Sequence, residues 1–291
     1  MPRVTIPMLV RKHESGEPIV MVTAYDFPGA RVADRAGVDM VLVGDSAAQV
    51  VLGYDSTVPV STDEMLVLAR AARRGTESAF LVCDVPFGST EISDAQAIET
   101  AVRFVKEAGA DAVKLEGGSE PRLSRIRAIV SAGIPVVAHL GLTPQTATAL
   151  GGLRAQGRTE ATATRLVREA RGVQEAGAFC LVVEAVPAEI TALLRDELRI
   201  PIIGIGAGEA DGQVLVAHDL LGITEGRTAK FVKRYAQVGE DSAAAIAAYA
   251  AEVRSGAFPA PEHCYTATAE ALAAARAELD RGRAERLDRG S

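Results

Sequence analysis

The sequence predicts an α/β protein in which eight parallel strands close into a (β/α)8 TIM barrel, with an N-terminal helix and a C-terminal helical extension. Short apolar runs alternate with amphipathic stretches along the 291 residues, and such alternation implies a parallel sheet. The dipeptide Ala-Gly recurs between a helical stretch and an apolar run, at 36–37, 108–109, 132–133 and 176–177. A glycine with positive φ would end each helix there. The alternative is an open, doubly wound sheet.

The elements follow in chain order. Residues 3–14 predict a short helix, with Thr5 as its cap, that could plug the barrel floor. The apolar runs predict strands near 19–24, 40–45, 79–84, 111–116, 135–139, 179–184, 201–204 and 213–217. Between them, residues 92–108 and 160–176 carry apolar side chains at three- and four-residue spacing, which is typical of helices that bury one face.

The chain is expected to form one catalytic domain over residues 1–266, because no Pro-, Gly- or Ser-rich linker divides it. Residues 241–254 predict an Ala-rich helix. Residues 267–291, rich in Ala, Arg and Glu, would form a peripheral helix or a disordered tail, with Gly282 and Gly290 as breaks.

Composition excludes several classes of function. A net charge of −7 without long one-signed blocks argues against a nucleic-acid or anionic-membrane partner. The apolar runs are too short to span a bilayer, and the N-terminus lacks the apolar core of a signal peptide. Cys83, Cys180 and Cys264 fit neither a disulfide framework nor a zinc spacing. We therefore expect a cytoplasmic, reduced protein.

Four of the apolar runs end in a carboxylate, at Asp45, Asp84, Glu116 and Glu184. Because ligands bind at the carboxyl ends of parallel strands, these acids predict one acidic mouth. Neighbouring strands lie about 4.8 Å apart, so Asp45 and Asp84 could share a cation. Hard oxygen ligands favour Mg²⁺. The alternative is that each acid caps the following helix or turn.

Lys114 and Glu116 lie two residues apart on one predicted strand and face the same side. Either they pair and hold the barrel layers together, or Lys114 binds a substrate carboxylate while Glu116 faces the metal. Glu184, across the barrel, could act as a base, or it could cap a helix or pair with an arginine. His139 closes the fifth strand, where a lone histidine is more often a core residue than a catalyst.

Two glycine-rich segments follow strands. Residues 204–208 (Gly-Ile-Gly-Ala-Gly) after the seventh strand could bind phosphate or form a tight corner. Residues 151–158 after the fifth strand predict a flexible loop that could act as a lid.

The chain resembles the ketopantoate hydroxymethyltransferase family over about residues 3–265. The phrases that carry the resemblance are Thr23-Ala-Tyr25-Asp26, Val43-Gly-Asp45-Ser46, Gly53-Tyr-Asp55-Ser-Thr57, Asp84-Val-Pro86-Phe87, Val113-Lys114-Leu-Glu116-Gly-Gly118, Gly141-Leu-Thr143-Pro-Gln145, Gln156-Gly157-Arg158, Glu184-Ala-Val-Pro187, Gly204-Ile-Gly206-Ala-Gly208 and Asp211-Gly212-Gln213. The pattern departs at Gln49, where Met or Asn is expected, and at Thr90, where an aromatic is common.

The resemblance implies a (β/α)8 transferase that moves the one-carbon unit of 5,10-methylenetetrahydrofolate to 3-methyl-2-oxobutanoate. The product would be 2-dehydropantoate (ketopantoate), in the first step of pantothenate and coenzyme A biosynthesis. Mg²⁺ would chelate the 2-oxo acid and stabilise the enolate that acts as nucleophile. The resemblance further implies a cytoplasmic homo-oligomer, a decamer of two pentameric rings.

Roles for individual residues also follow from the resemblance. Asp45 and Asp84 would be metal ligands, Glu116 would belong to the metal shell, and Glu184 would be the proton acceptor. The residues expected to bind the keto acid are Asp45, Ser46, Asp84, Lys114 and His139. Two other functions remain open: carbon–carbon lyase chemistry on a 2-oxo acid, and a barrel retained as a non-enzymatic assembly or regulatory subunit.

Overall fold

Eight parallel strands close into a barrel in the computed structural model, which describes residues 2–226 and 228–288. Each strand pairs with the next in chain order, and the last pairs with the first. The strands are β1 (Ile19–Thr23), β2 (Met40–Val43), β3 (Phe80–Asp84), β4 (Ala112–Glu116), β5 (Val136–Gly141), β6 (Cys180–Glu184), β7 (Ile202–Ile205) and β8 (Gly212–Leu215). The predicted closed (β/α)8 barrel is confirmed, and the open sheet is wrong.

Helices lie between most of the strands and continue after the last one. They are α1 (Ile6–Ser15), α2 (Phe27–Arg35), α3 (Ala47–Val50), α4 (Thr62–Gly75), α5 (Asp94–Ala108), α6 (Glu120–Ser131), α7 (Glu160–Glu175), α8 (Ala188–Glu197), α9 (Ala217–Leu220), α10 (Val238–Ser255) and α11 (Ala269–Asp288). Single 3₁₀ turns occur at Pro144–Thr146 and Pro261–His263. No helix among the described residues is long and apolar enough to cross a membrane.

The repeated Ala-Gly dipeptide ends helices as predicted. Gly37, Gly109, Gly133 and Gly177 have φ values of 80°, 66°, 87° and 97°, in the left-handed region where glycine carries no Cβ penalty. At Gly109 the chain leaves α5, and its N–H donates to the carbonyl of Val105. Each helix therefore stops one short loop before the next strand.

Helix α1 packs at the amino-terminal end of the barrel. Leu9 is 1% exposed and belongs to a cluster with Met40, Phe80 and Cys180, which lie at the starts of their strands. Thr5 occupies the position before the helix but makes no side-chain capping bond. The predicted plug is thus present, held by apolar burial rather than by the cap.

The chain divides into two compact units, Met1–Gly239 and Glu240–Ser291. The second contains most of α10 and all of α11; Gly282 lies inside α11, so the break predicted there is wrong. One glycine costs a helix only about 1 kcal/mol relative to alanine. Gly290 lies outside the described residues, and the boundary at residue 266 stays a prediction. Cys83, Cys180 and Cys264 are free thiols.

Candidate active site

A cavity of about 510 Å³ opens at the carboxyl-terminal end of the barrel. It brings together every residue that the sequence singled out for the site: Asp45, Ser46, Asp84, Lys114, Glu116, His139 and Glu184. Strand register explains the arrangement, because Asp84 is aligned with Lys114 and Glu116 is aligned with His139 on the neighbouring strand. A larger groove, about 990 Å³, lies along α6, α7 and α8 and contains none of these side chains.

Asp84 links three neighbouring strands through contacts with Asp45, just after β2, and Lys114, within β4. Its Oδ2 accepts a hydrogen bond from the backbone N–H of Asp45 at 3.0 Å, and its Oδ1 lies 3.0 Å from Lys114 Nζ. All three residues are at most 5% exposed. The alternative of a Lys114–Glu116 pair is therefore wrong: the closest carboxylate partner of Lys114 is on the neighbouring strand.

The electrostatics of this group are dominated by burial and by crowded negative charge. Burial, followed by the negative charges of Asp84 and Glu116, raises the pKa of Asp45 to about 8. Burial also raises the pKa of Asp84, although the Lys114 ammonium opposes the shift. For Lys114 burial acts to lower the pKa, but the surrounding carboxylates outweigh it and the net shift is upward. The site is therefore short of positive charge.

His139 stands between two carboxylates. Its Nδ1 lies 3.3 Å from Glu116 Oε1, and its Nε2 lies 3.3 Å from Glu184 Oε2. Burial and the nearby Lys114 both lower the pKa of His139, yet the two carboxylates outweigh them and raise it to about 9. Contact with two carboxylates inside the cavity distinguishes His139 from an ordinary core histidine, and its role in substrate binding stays a prediction.

Gln145 is the residue that sequence reasoning missed. Its side-chain Nε2 donates to Asp45 Oδ2 and to the carbonyl of Val85, both at 2.9 Å, while its backbone N–H donates to Glu116 Oε2 at 3.1 Å. It thereby fixes two of the predicted metal-shell carboxylates at once. The sequence feature that could have identified Gln145 is its place in the phrase Gly141-Leu-Thr-Pro-Gln145, directly after β5.

Ser46 is held in the cavity by Tyr25. The two hydroxyl oxygens are 2.9 Å apart, and Tyr25 is 3% exposed. Burial raises the pKa of Tyr25, so its hydroxyl stays protonated and can hydrogen-bond Ser46 at physiological pH. Tyr25, which does not itself line the cavity, therefore orients the Ser46 hydroxyl for a ligand inside it.

The acidic residues fit a magnesium ion that is completed by substrate. Within residues 2–226 and 228–288, no group of three or more His, Cys, Asp or Glu side chains forms a ready metal cage. Mg²⁺ is usually bound through one or two carboxylates plus substrate and water, so Asp45 and Asp84 would suffice, and their metal role stays a prediction. Asp84 Oδ1 is buried, and its ion pair with Lys114 Nζ at 3.0 Å leaves a lone pair of this oxygen available to a cation. Glu116 is already engaged by His139 and Gln145, so its metal role stays a prediction.

Two further expectations concern the glycine-rich loops around the cavity. At Gly206 a Cβ would lie 2.4 Å from the ring of Phe231, so close packing explains this glycine without a phosphate. Leu153 and Arg154, from the loop after β5, line the cavity wall. Whether that loop moves as a lid stays a prediction.

Gln49 and Thr90 depart from the family pattern, and they differ in whether they line the cavity. Gln49 lines the cavity and donates to the carbonyl of Asp55 at 3.2 Å. Thr90 is not among the lining residues, and its hydroxyl accepts a hydrogen bond from Arg122 at 3.0 Å. Only the first substitution touches the shape of the cavity.

Comparison with known proteins identifies relatives along most of the chain. A family model described as ketopantoate hydroxymethyltransferase matches residues 3–261. The 3-methyl-2-oxobutanoate hydroxymethyltransferase of Moorella thermoacetica is 53% identical over 264 residues, which cover 90% of this chain and 98% of that protein. The mitochondrial 3-methyl-2-oxobutanoate hydroxymethyltransferase 1 of Arabidopsis thaliana is 51% identical over 286 residues, 96% of this chain and 82% of that one.

Solved structures of more distant proteins share the fold. Phosphonopyruvate hydrolase, in a complex with oxalate and Mg²⁺, superposes with a TM-score of 0.58 at 16% identity, over 96% of this chain and 97% of that one. A 2,3-dimethylmalate lyase of the PEP mutase/isocitrate lyase superfamily gives a TM-score of 0.56 at 18% identity, over 89% and 91%. At this level of identity the likeness extends to the barrel alone.

Proposed function

The chain belongs to the ketopantoate hydroxymethyltransferase family, and we propose that it transfers a hydroxymethyl unit to 3-methyl-2-oxobutanoate to give ketopantoate. The proposed donor is 5,10-methylenetetrahydrofolate, and the proposed pathway is pantothenate and coenzyme A synthesis in the cytoplasm. The observation that supports the proposal is one cavity with a carboxylate pair and a lysine on one side and a separate carboxylate, Glu184, on the other.

The keto acid is bound by polar groups on the β2–β4 side of the cavity. Lys114 Nζ offers a positive charge to the substrate carboxylate, and Asp84, 3.0 Å away, fixes its direction. Ser46, oriented by Tyr25, offers a hydroxyl to a substrate oxygen. Asp45 and Asp84 would hold Mg²⁺, which when bound polarises the keto group and stabilises negative charge on its oxygen.

Glu184 takes the proton from C3 of the substrate. It ends β6, which lies opposite β2 in the closed strand order, so it approaches the bound keto acid from the far side. His139 Nε2, 3.3 Å from Glu184 Oε2, keeps the carboxylate in position. Lys114 offsets the negative charge that develops on the substrate when the proton leaves.

The remaining step joins two carbon atoms. The deprotonated C3 attacks the methylene carbon of the folate donor, a carbon–carbon bond forms, and the bonds from that carbon to the folate nitrogens break. Water supplies the hydroxyl group of the product and one proton, Glu184 returns the proton taken from C3, and the two folate nitrogens accept these protons as tetrahydrofolate leaves. The donor must reach C3 through the open mouth of the barrel, beside the loops that follow β5 and β7.

Two measurements on the full chain test the proposal. Ketopantoate formation should require both 5,10-methylenetetrahydrofolate and Mg²⁺ and should stop when EDTA is added. Exchange of the C3 proton of the keto acid in deuterated water should require Mg²⁺ but no folate. Cleavage of a 2-oxo acid without folate-dependent transfer would instead identify a lyase and contradict the proposal.

We also propose a homo-oligomer, a decamer of two pentameric rings, because the family resemblance implies it. Light scattering of the purified protein should give a mass about ten times that of the chain. A monomeric mass that is independent of concentration would contradict this part of the proposal.

A further inference from the structure

A second cavity, of about 620 Å³, lies beside the active cavity and has a different chemistry. The two share wall residues: Ala155, Ala185, Lys230 and Phe231. Ala185 directly follows Glu184, so the second cavity opens next to the proposed base. Because the active cavity is already large for a small keto acid, the second one is available to another ligand.

The wall of the second cavity presents an aromatic ring whose position is fixed by a glycine. Gly206 has φ of 62°, and a Cβ there would meet Phe231 Cδ1 at 2.4 Å, so the ring lies directly against this backbone. Val186 and Pro187 extend the apolar surface. A planar ring of a ligand can pack on Phe231 in the offset or edge-on arrangements that aromatic pairs favour.

Two cations border the same cavity. Arg158 and Lys230 are exposed, and neither makes an ion pair or a side-chain hydrogen bond with any described residue. The segment that carries Arg158 is fixed to the end of β6, because the N–H of Gln156 donates to the carbonyl of Ala185 at 2.9 Å. Unpaired cations beside an apolar wall favour a ligand that is aromatic at one end and anionic at the other.

We propose that this second cavity binds the aryl-glutamate tail of the reduced folate donor. The benzoyl ring packs against Phe231, and the glutamate carboxylates pair with Arg158 and Lys230. The pterin, with its reactive methylene carbon, then points across Ala185 towards Glu184. This inference rests on the proposed function, since that function supplies the folate.

The first test changes the ligand and leaves the protein intact. The wild-type chain is assayed with 5,10-methylenetetrahydrofolate and with the methyl ester of 5,10-methylenetetrahydropteroate (the pteroate below), which lacks the glutamate and carries no carboxylate. Because hydrogen bonds to charged groups are worth about tenfold or more each, the KM for the pteroate should be at least about tenfold higher. The kcat should change by less than about twofold, since the reacting carbon is the same.

The second test removes the two cations. In the double variant Arg158→Met/Lys230→Met, the KM for the folate should rise towards that for the pteroate, which should itself stay constant. The matched control is Arg74→Met, which removes an exposed arginine of α4 that lines neither cavity. The control should keep the wild-type ratio of the two KM values.

A third variant isolates the ring from the cations. Gly206→Ala places a methyl group where Phe231 now lies, and the ring must shift. The KM values for folate and pteroate should therefore rise by the same factor, because both donors carry the benzoyl ring. An effect on the folate alone would contradict the placement of that ring.

Equal KM values for the two donors in the wild type, or an unchanged ratio in the double variant, would overturn the inference. A third outcome would also overturn it: inorganic phosphate inhibits the wild type but not the double variant, while the ratio of the two KM values stays the same. The two cations would then bind a phosphate and not the glutamate. In all these cases, ketopantoate formation by the wild type with either donor would still support the proposed function. Absence of both product and C3 exchange would refute the proposed function itself.

Discussion

Replacement of Gln145 by methionine tests whether the 3₁₀ turn after β5 organises the acidic side of the site. Methionine keeps the length of the side chain and removes the donor that reaches Asp45 Oδ2 and the Val85 carbonyl at 2.9 Å. The backbone N–H still donates to Glu116 at 3.1 Å, so that carboxylate keeps its anchor. The perturbation is therefore confined to one carboxylate of the proposed metal pair.

The expected magnitude follows from the two bonds that are lost. A hydrogen bond to a carboxylate is worth about 1.5–3 kcal/mol and one to a carbonyl about 1 kcal/mol, so the free energy of unfolding should fall by about 2–4 kcal/mol. Partners that orient a metal ligand typically change metal affinity by about 10–100-fold. The Mg²⁺ concentration for half-maximal C3–H exchange should therefore rise by about 10–100-fold.

The assay is a Mg²⁺ titration of keto-acid C3–H exchange, combined with a urea melt of the same variant. Thr146→Val is the matched control: it alters the same turn and removes the 2.6 Å contact between the Thr143 and Thr146 hydroxyls, but it touches no carboxylate of the site. The control should lower stability slightly and leave the Mg²⁺ titration unchanged. An unchanged titration in Gln145→Met would refute the role given to Gln145.

Three further predictions concern the metal pair, the base and the barrel floor. Asp84→Asn should abolish Mg²⁺-dependent exchange while circular dichroism stays native, because the shape is retained and the charge beside Lys114 is lost; normal turnover at buffered Mg²⁺ would contradict the metal assignment. Glu184→Gln should bind the keto acid but slow exchange by about 10²–10⁴-fold, and an unchanged exchange rate would remove its role as base. Leu9→Ala should cost about 2–5 kcal/mol in a urea melt with kcat preserved; an unaltered melt would mean that α1 does not contribute to the barrel floor.

The strands and the rim acids could be predicted from the sequence because both are local properties. A strand of a parallel barrel is buried on both faces, so its sequence is a short apolar run. The residue that ends the run lies on the rim of the barrel. Thus Asp84 and Glu184 were placed correctly without any knowledge of their neighbours. The glycines that end the helices were also local signals.

The partners of those acids could not be predicted, because they depend on strand register. Lys114 and Glu116 are two residues apart along β4, a distance of about 6.6 Å, whereas neighbouring strands are only about 4.8 Å apart. The register aligns Lys114 with Asp84, and the shorter distance determines the ion pair. Gln145 was missed for the same reason, since its contact with Asp45 spans 100 positions of sequence.

Two basic side chains, Lys114 and His139, lie next to each other among the four acids of the site, and their position bears on the separate roles proposed for the acids. Lys114 Nζ lies 3.0 Å from Asp84 Oδ1 and 3.3 Å from His139 Nδ1, and His139 lies between Glu116 and Glu184. The negative charges of Asp84 and Glu116 raise the pKa of Asp45, and a divalent cation bound beside Asp45 would offset them. Because Lys114 contacts Asp84 and His139 contacts Glu184, these two basic side chains separate the proposed base from the proposed metal pair. Proton removal and charge stabilisation can therefore occur on opposite sides of the substrate without direct repulsion between the groups that perform them.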